Sequence, residues 1–310
     1  MSISSSTSAG PSSGTGPPFA LDLRPKSRPG ETTIRYVLMI SAFLSVLVTV
    51  GIILALIQPV VEFFREVPFG DFFATDGQFA VLPLVAGTAM TTVIALLVAV
   101  PLGLGAAMYL SEYASARTRK VLKPTVELLA GVPSVVYGFF ALTFVTPTLL
   151  QDILNLEVGF TNALAAGLVL GVMIIPTVAS LSEDALSAVP QAMRQGSLAM
   201  GANRMQTTVR VVLPAALSGV AAAIVLGMSR AVGETMIVAL AAGAQKNLSF
   251  DPRDGMQTMT GFIATTAGGE NAVGSTSYNT LFAVGMLLFL ITLLINSVSI
   301  SLVRRFRQEY

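Results

Sequence analysis

Largely uncharged apolar runs of about twenty residues or more recur along the chain, separated by shorter segments that hold most of its charges. Each run is long enough for an α-helix to cross roughly 30 Å of hydrocarbon at about 1.5 Å per residue. The pattern predicts six transmembrane helices, at about Val37–Ile57, Ala80–Leu110, Leu128–Leu150, Phe160–Leu181, Leu213–Gln245 and Leu281–Val303. The second and fifth exceed a single crossing, so they are expected to tilt, to break near Pro101, or to project past the bilayer. The expected fold is all-α, a polytopic membrane protein with a six-helix membrane domain over residues 34–310. Residues 1–33, opening MSISSSTSAGPSSGTGPP, offer almost nothing to bury and read as a disordered cytoplasmic tail. They do not read as a secretory signal, because the apolar segment that follows is long and lacks a small-residue cleavage pattern.

Composition sharpens this picture. Hydrophobic residues make up 53% and charged residues 11%, against roughly 25% charged in soluble globular proteins, and the mean hydropathy is +0.75. A net charge of +1 with no basic block argues against a nucleic-acid partner. With no Cys and no His, disulfides, thiolate chemistry, zinc or haem ligation and histidine proton shuttles are excluded, and neither a metal site nor a catalytic residue is expected.

Charge asymmetry predicts orientation. With the N-terminus inside, fourteen Lys and Arg residues fall on the cytoplasmic side: Arg24, Lys26, Arg28, Arg35, Arg117, Arg119, Lys120, Lys123, Arg194, Arg204, Arg210, Arg304, Arg305 and Arg307. Only Arg65, Lys246 and Arg253 fall outside, which places both termini in the cytoplasm. The external segments are acidic, which disfavours direct capture of an anion from solution. The long polar loop from about Lys246 to Asn279 is a dock for a separate capture protein, or simply a solvated loop.

Arg230 and Glu234 stand out, because Val211–Ser229 and Thr235–Gln245 are otherwise uncharged. A charge at a helix centre costs roughly 2.5–3.5 kcal/mol on insertion scales, so such residues usually mark a polar pathway; a structural ion pair joining helices is the other reading. A guanidinium stays protonated and presents a planar fork that fits two oxyanion oxygens. Glu234 is expected to neutralise Arg230 until an anion replaces or joins it. Alternatively Glu234 pairs with an arginine of another subunit, or accepts a hydrogen bond from a protonated anion.

The cytoplasmic loop at about residues 182–212 reads SEDALSAVPQAMRQGSLAMGANRMQTTVRVV. Pro190 suits the first turn of a short helix and Gly201 its end. Val189, Met193 and Met200 form an apolar stripe suited to a partner's groove or to the headgroup layer of the lipid bilayer.

Gln195-Gly196-Ser197, then Gly201, then Val211-Val212-Leu213-Pro214 resembles the EAA loop of ABC importer permeases, whose pattern is E-A-A, three residues, G, nine residues, I-x-L-P. Gln195 replaces the usual acid, so contact with an ATPase there would rest on hydrogen bonds and shape. Three further stretches resemble the PstC family of phosphate-importer permeases: LPLVAGTAMTTVIALLVAVPLGLGAAMYLSEYA from Leu82, LLAGVPSVVYGFFAL from Leu128 and SRAVGETMIVALAAG from Ser229, with a weaker match at MTGFIATTAGGE from Met259. The resemblance implies an ATP-driven inorganic phosphate importer. This chain would form half of its pathway beside a PstA-like sister permease, with two ATPase subunits and an extracytoplasmic phosphate-binding protein. No GxxxxGK[ST] loop occurs in the sequence, so ATP and Mg belong to the partner ATPase and no cofactor is expected in this chain. In the family the arginine and glutamate of RA-x-GE are regarded as essential; they match Arg230 and Glu234.

The expected pathway residues are therefore Arg230, Glu234, Thr235, Ser134 and Tyr137. The expected ATPase-coupling residues are Met193, Gln195, Gly196, Ser197, Met200, Gly201, Leu213 and Pro214. Pro133, in the third span with Gly138, is expected to kink its helix. Gly167 and Gly171 form a GxxxG read as helix packing. Pro176 and Glu183-Asp184 read as the exit from the fourth helix into a solvated loop. Two rival classes remain: an ion-coupled secondary transporter, with Glu234 as the only deep carboxylate and no evident inverted repeat, and a membrane-embedded enzyme, which lacks paired buried carboxylates. Among importers the rival substrates are sulfate, molybdate and phosphonate.

Overall fold

The computed structural model describes residues 29–306, with side chains from 32 to 301. Most of the predicted tail, with Arg24, Lys26, Arg28 and Arg307, lies outside these residues, and residues 29–33 are already helical. The chain divides into two units, residues 1–53 and 54–310. What is described of the first unit is the opening part of α1 (Pro29–Glu66), an apolar helix with no acid or base between Arg35 and Ile53. The remainder of α1 belongs to the second unit, where Phe63 packs with Phe72, Val81, Leu84, Met259 and Val284.

In the second unit a short α2 (Phe69–Phe72) precedes α3 (Leu82–Met108), which has proline in its first turn, where the missing N–H is harmless. Helix α3 runs through Pro101 without interruption and ends in a π-helical turn, Tyr109–Tyr113. Helix α4 (Ala116–Leu129) is capped by Ser115, whose hydroxyl accepts from the Thr118 N–H. Next come α5 (Ser134–Phe140), continued by a π-helical stretch Ala141–Ile153, and α6 (Ala163–Ser187), capped by the buried Asn162. Then follow α7 (Gln191–Ala199), α8 (Arg204–Thr207), a π-helical turn Thr208–Val212, α9 (Leu213–Ala215), α10 (Leu217–Val232), α11 (Met236–Ala241), α12 (Met259–Ala267) and α13 (Thr276–Phe306). Among the described residues five helices are long and apolar enough to cross a membrane, and a sixth if the bent pair Arg204–Ala215 and Leu217–Val232 counts as one span.

Helix α6 is the centre of the core, packed against α3, α5, α10 and α11 through Ala165, Val169, Leu170, Ile174 and Val178. Gly167 and Gly171 allow the close approach to α3. A Cβ added at Gly167 would lie 2.6 Å from Ile94 Cβ, and one at Gly171 2.8 Å from Val98 Cβ. The GxxxG thus acts as a packing surface. Gly167→Val is expected to destabilise the protein by about 1–3 kcal/mol, read as a lower thermal midpoint in detergent, whereas Gly51→Val should be neutral because nothing lies within 4 Å of that position.

Five expectations are corrected. The third span begins at Ser134, because Leu128 and Leu129 close the amphipathic α4 and the chain turns at Ala130–Pro133. Pro133 consequently precedes α5 and kinks nothing. The fifth span is interrupted twice, by a 72° bend just after Pro214 and by a break at Gly233–Thr235. The fourth helix runs on to Ser187, with Pro176 buried inside it, so the loop starts later than residue 182. Finally, the loop from about Lys246 to Asn279 is only partly solvated, since residues 256–261 are buried and lead into α12.

Candidate functional site

Arg230 sits in the last turn of α10 with its side chain exposed. Its guanidinium has one hydrogen-bond partner among the described residues, a Thr177 hydroxyl on α6 at 3.5 Å. Beside it, Ser229 donates to Asn296 Oδ1 of α13 at 2.5 Å, tying α10 to the last helix. Glu234 lies in the break. Its carboxylate Oε1 accepts from the Met236 N–H at 3.0 Å and the Ile237 N–H at 3.4 Å. These are the free amides that open α11, where a negative charge is favoured. Arg230 and Glu234 therefore do not pair. The i,i+4 spacing presupposed one continuous helix, and the break sends the carboxylate forward along the chain.

The break is closed from two sides. Thr260 of α12 donates to the Glu234 carbonyl at 2.6 Å, while the half-buried Thr235 turns its hydroxyl back toward the Gly233 carbonyl at 3.5 Å. Helix α5 packs on α11, and Gly138 allows it: a Cβ there would lie 2.8 Å from Leu240 Cδ1. Half-buried Ser134 and Tyr137 are carried on α5, with the Tyr137 hydroxyl donating to the Leu129 carbonyl at 3.0 Å. The structure thus brings the helix of Ser134 and Tyr137 against the element that Glu234 caps.

The second candidate region is α7 and its surroundings. Gly201 has φ +86°, a left-handed conformation that favours glycine, and its N–H bonds the Leu198 carbonyl at 3.0 Å to end α7. The predicted stripe divides. Val189 and Met193 turn inward onto a cluster with Leu104, Ala107, Leu186, Val212 and Leu213, whereas Met200 is 89% exposed. The outward apolar residues include Leu198, Met200, Met205 and Val209, beside exposed Gln195, Gly196 and Pro214. Ser197 is half-buried with its hydroxyl 3.0 Å from that of Thr207.

Two charge clusters here escaped the sequence reading. Glu183 is fully buried on α6, and both Arg119 and Lys123 of α4 reach it, Lys123 at 2.6 Å. Lys123 also pairs with Asp184 at 2.7 Å. The Lys123 pKa is raised, first by the hydrogen bond to Asp184 and then by that to Glu183. Glu183 and Asp184 are thus a brace between helices. Arg194 of α7, counted before only as an inside charge, is buried and pairs with Glu112 at 2.8 Å. Outside the spans, burial lowers the pKa of Lys246, whose ammonium lies 4.5 Å over the Phe262 ring and donates to the Gln78 carbonyl.

An all-α bundle built on one buried helix, with a broken span carrying an exposed arginine and a short connecting helix held at one end, defines a membrane permease subunit. The chain belongs to the family of binding-protein-dependent transport system inner membrane components, whose model matches residues 99–309. It is accordingly a multi-pass inner membrane protein of an ABC import system. A probable ABC transporter permease protein, YqgH of Bacillus subtilis, is 40% identical over 71% of this chain and 70% of that one. The phosphate transport system permease protein PstC 1 of Mycobacterium tuberculosis is 36% identical over 76% and 78%. PstC of Mesorhizobium japonicum is 32% identical over 72% of both. Among solved structures, a bacterial ABC transporter involved in alginate import aligns with TM-score 0.64 at 16% identity over 91% of this chain and all of that one, a likeness of fold.

Proposed function

We propose that this chain forms one half of the translocation pathway of an ATP-driven inorganic phosphate importer. The observation that carries the reading is the Arg230 guanidinium, exposed on a membrane helix with one hydroxyl for a partner among the described residues, in a chain similar to phosphate transport permeases. A permanent cation there is incompatible with lipid and suited to an aqueous path for an oxyanion. Glu234 keeps its Oε2 free of partners among the described residues, and that oxygen can accept the proton that phosphate carries and sulfate lacks. Thr235, Ser134 and Tyr137 line the same path. The other half comes from a PstA-like sister permease, and an extracytoplasmic phosphate-binding protein delivers substrate at the acidic outer face.

ATP and Mg bind two partner ATPase subunits, which grip α7 and its flanks through Gln195, Gly196, Leu198, Met200 and Pro214. Gly201 sets the angle at which the chain leaves that contact, and Met193 and Leu213 pass the motion inward. Both termini lie in the cytoplasm, as the basic residues require.

The test is phosphate uptake into proteoliposomes holding this chain with its sister permease, ATPase and binding protein. Uptake should need ATP, resist excess sulfate and be absent from liposomes holding this chain alone. Uptake by the single chain on an ion gradient, without ATP, would overturn the reading.

A further inference from the structure

We infer that Arg194 and Glu112 form the clamp that makes α7 move as one piece with the inner end of α3. The inference rests on the proposed import function and goes beyond it by naming positioning residues for energy coupling. Arg194 is 9% exposed. Its Nη2 donates to Glu112 Oε1 at 2.8 Å and to the Leu186 carbonyl at 2.7 Å, its Nε reaches Oε1 and Oε2 at 3.2 and 3.3 Å, and its Nη1 donates to the Val189 carbonyl. One guanidinium therefore joins three places: the π-helical turn that ends α3, the end of α6, and the link from α6 to α7.

The contact does not stop at Glu112. Ser111 donates to the same carboxylate oxygen at 3.1 Å and lies 3.4 Å from the Ser187 hydroxyl. Ser187 donates to Glu183 at 2.9 Å and accepts from Arg119 at 3.0 Å. Polar contacts thus run from α7 to the ends of α3 and α6 and on to α4, although each serine spends its proton on a carboxylate, so the Ser111–Ser187 step is a contact and not a hydrogen bond. Apolar packing alone would let α7 slide, since dispersion contacts carry little directional preference, whereas a forked ion pair fixes distance and angle together.

Two further features suit a moving part. Glu112 sits in a π-helical turn, a form frequent where helices change register at functional sites. A cavity of about 240 Å³ adjoins the pair, lined by Ser111, Glu112, Gln191, Arg194, Gln195 and Leu198 among others, which leaves the joined ends room to move together. Pulling on α7 then draws the end of α3 with it, and α3 lies along α6, whose Thr177 contacts Arg230.

The test measures ATP hydrolysed per phosphate imported by the complete complex in proteoliposomes, normalised to assembled complex, for wild type, Arg194→Met, Arg194→Lys and Glu112→Gln. Arg194→Met should raise that ratio by about fivefold or more, the scale of ordinary coupling between sites. Glu112→Gln should raise it less, because two carbonyls still hold the arginine. Arg194→Lys should fall between wild type and Arg194→Met, keeping the charge without the fork. A merely structural role would lower hydrolysis and uptake together and leave the ratio unchanged, and that result in assembled complexes would overturn the clamp while the import function stands. If the wild-type complex itself imports phosphate without hydrolysis, the import reading fails and the clamp with it. The chain has no cysteine, so a label pair on introduced cysteines near residues 113 and 191 gives a second readout: their distance should stay constant through the ATP cycle in wild type and spread in Arg194→Met.

Discussion

Arg230→Gln is expected to abolish ATP-driven phosphate uptake, by about 30-fold or more, in a complex that assembles normally. Hydrogen bonds between the guanidinium and a passing oxyanion are worth about 1.5–3 kcal/mol, and each 1.4 kcal/mol is about tenfold in binding or rate. The folded state should hardly register the change. The side chain is exposed and its one bond within the described residues is long, which places it with surface substitutions of about 0.5 kcal/mol or less. Arg230→Lys should retain partial uptake, since charge survives but the planar fork does not. Measured uptake and the amount of assembled complex together decide the matter: normal transport by assembled Arg230→Gln would remove the residue from the pathway. The contrast with Glu234 is informative, because that carboxylate also holds the start of α11. Its loss should cost stability as well as transport, and the two arms of the RA-x-GE motif then separate experimentally.

The second large effect concerns the brace between α4 and α6. Replacing both Arg119 and Lys123 with Met leaves Glu183, fully buried, without a cation. Stranding a buried charge costs about 3–5 kcal/mol, enough to lose most folded protein on mild heating in detergent. Glu183→Gln should cost less, because the cations it abandons are partly exposed and can turn to water. Equal losses in the two variants would show that packing, not charge, holds α4. The pH dependence has a definite sign. Lys123 has a raised pKa in the folded state, so its contribution is complete below the unfolded value of about 10.5 and is lost only as pH rises through the folded one. At neutral pH the contribution of Lys123 is complete.

Much of this architecture is legible in the order of apolar runs. Hydrocarbon thickness sets a minimum helix length, which is why the long helices fall near their expected places, and the small-residue spacing of Gly167 and Gly171 announces a close crossing. Pro190 and Gly201 likewise bracket α7 by local backbone preference. What the pattern hides are interruptions and partners. Pro214 lies inside an apolar run, so the bend beside it leaves no polar trace, and the apolar end of α4 merges with the start of the third span. Charge pairs are hidden for a different reason. Glu183 meets Lys123 across 60 residues and Arg194 meets Glu112 across 82, whereas a count of basic residues by loop sees only their side of the membrane. At the RA-x-GE motif the two charged residues were readable but their relation was not. Whether Arg230 and Glu234 face each other depends on the break between them, which is decided by Gly233 ending α10 and by Thr260 arriving from a distant segment.

That arrival divides the long loop over residues 246–279 into two parts with different freedom to change. Backbone interrupted inside a bilayer must find its hydrogen bonds in protein, and here the Thr260 hydroxyl supplies one to the Glu234 carbonyl, while Thr88 of α3 accepts from the Met259 N–H at 2.9 Å. Residues 256–261 are thereby interior sequence, intolerant of a gained or lost residue although they stand in a loop. Residues 267–274 are exposed throughout, and differences in loop length between related chains can accumulate there without disturbing the broken span.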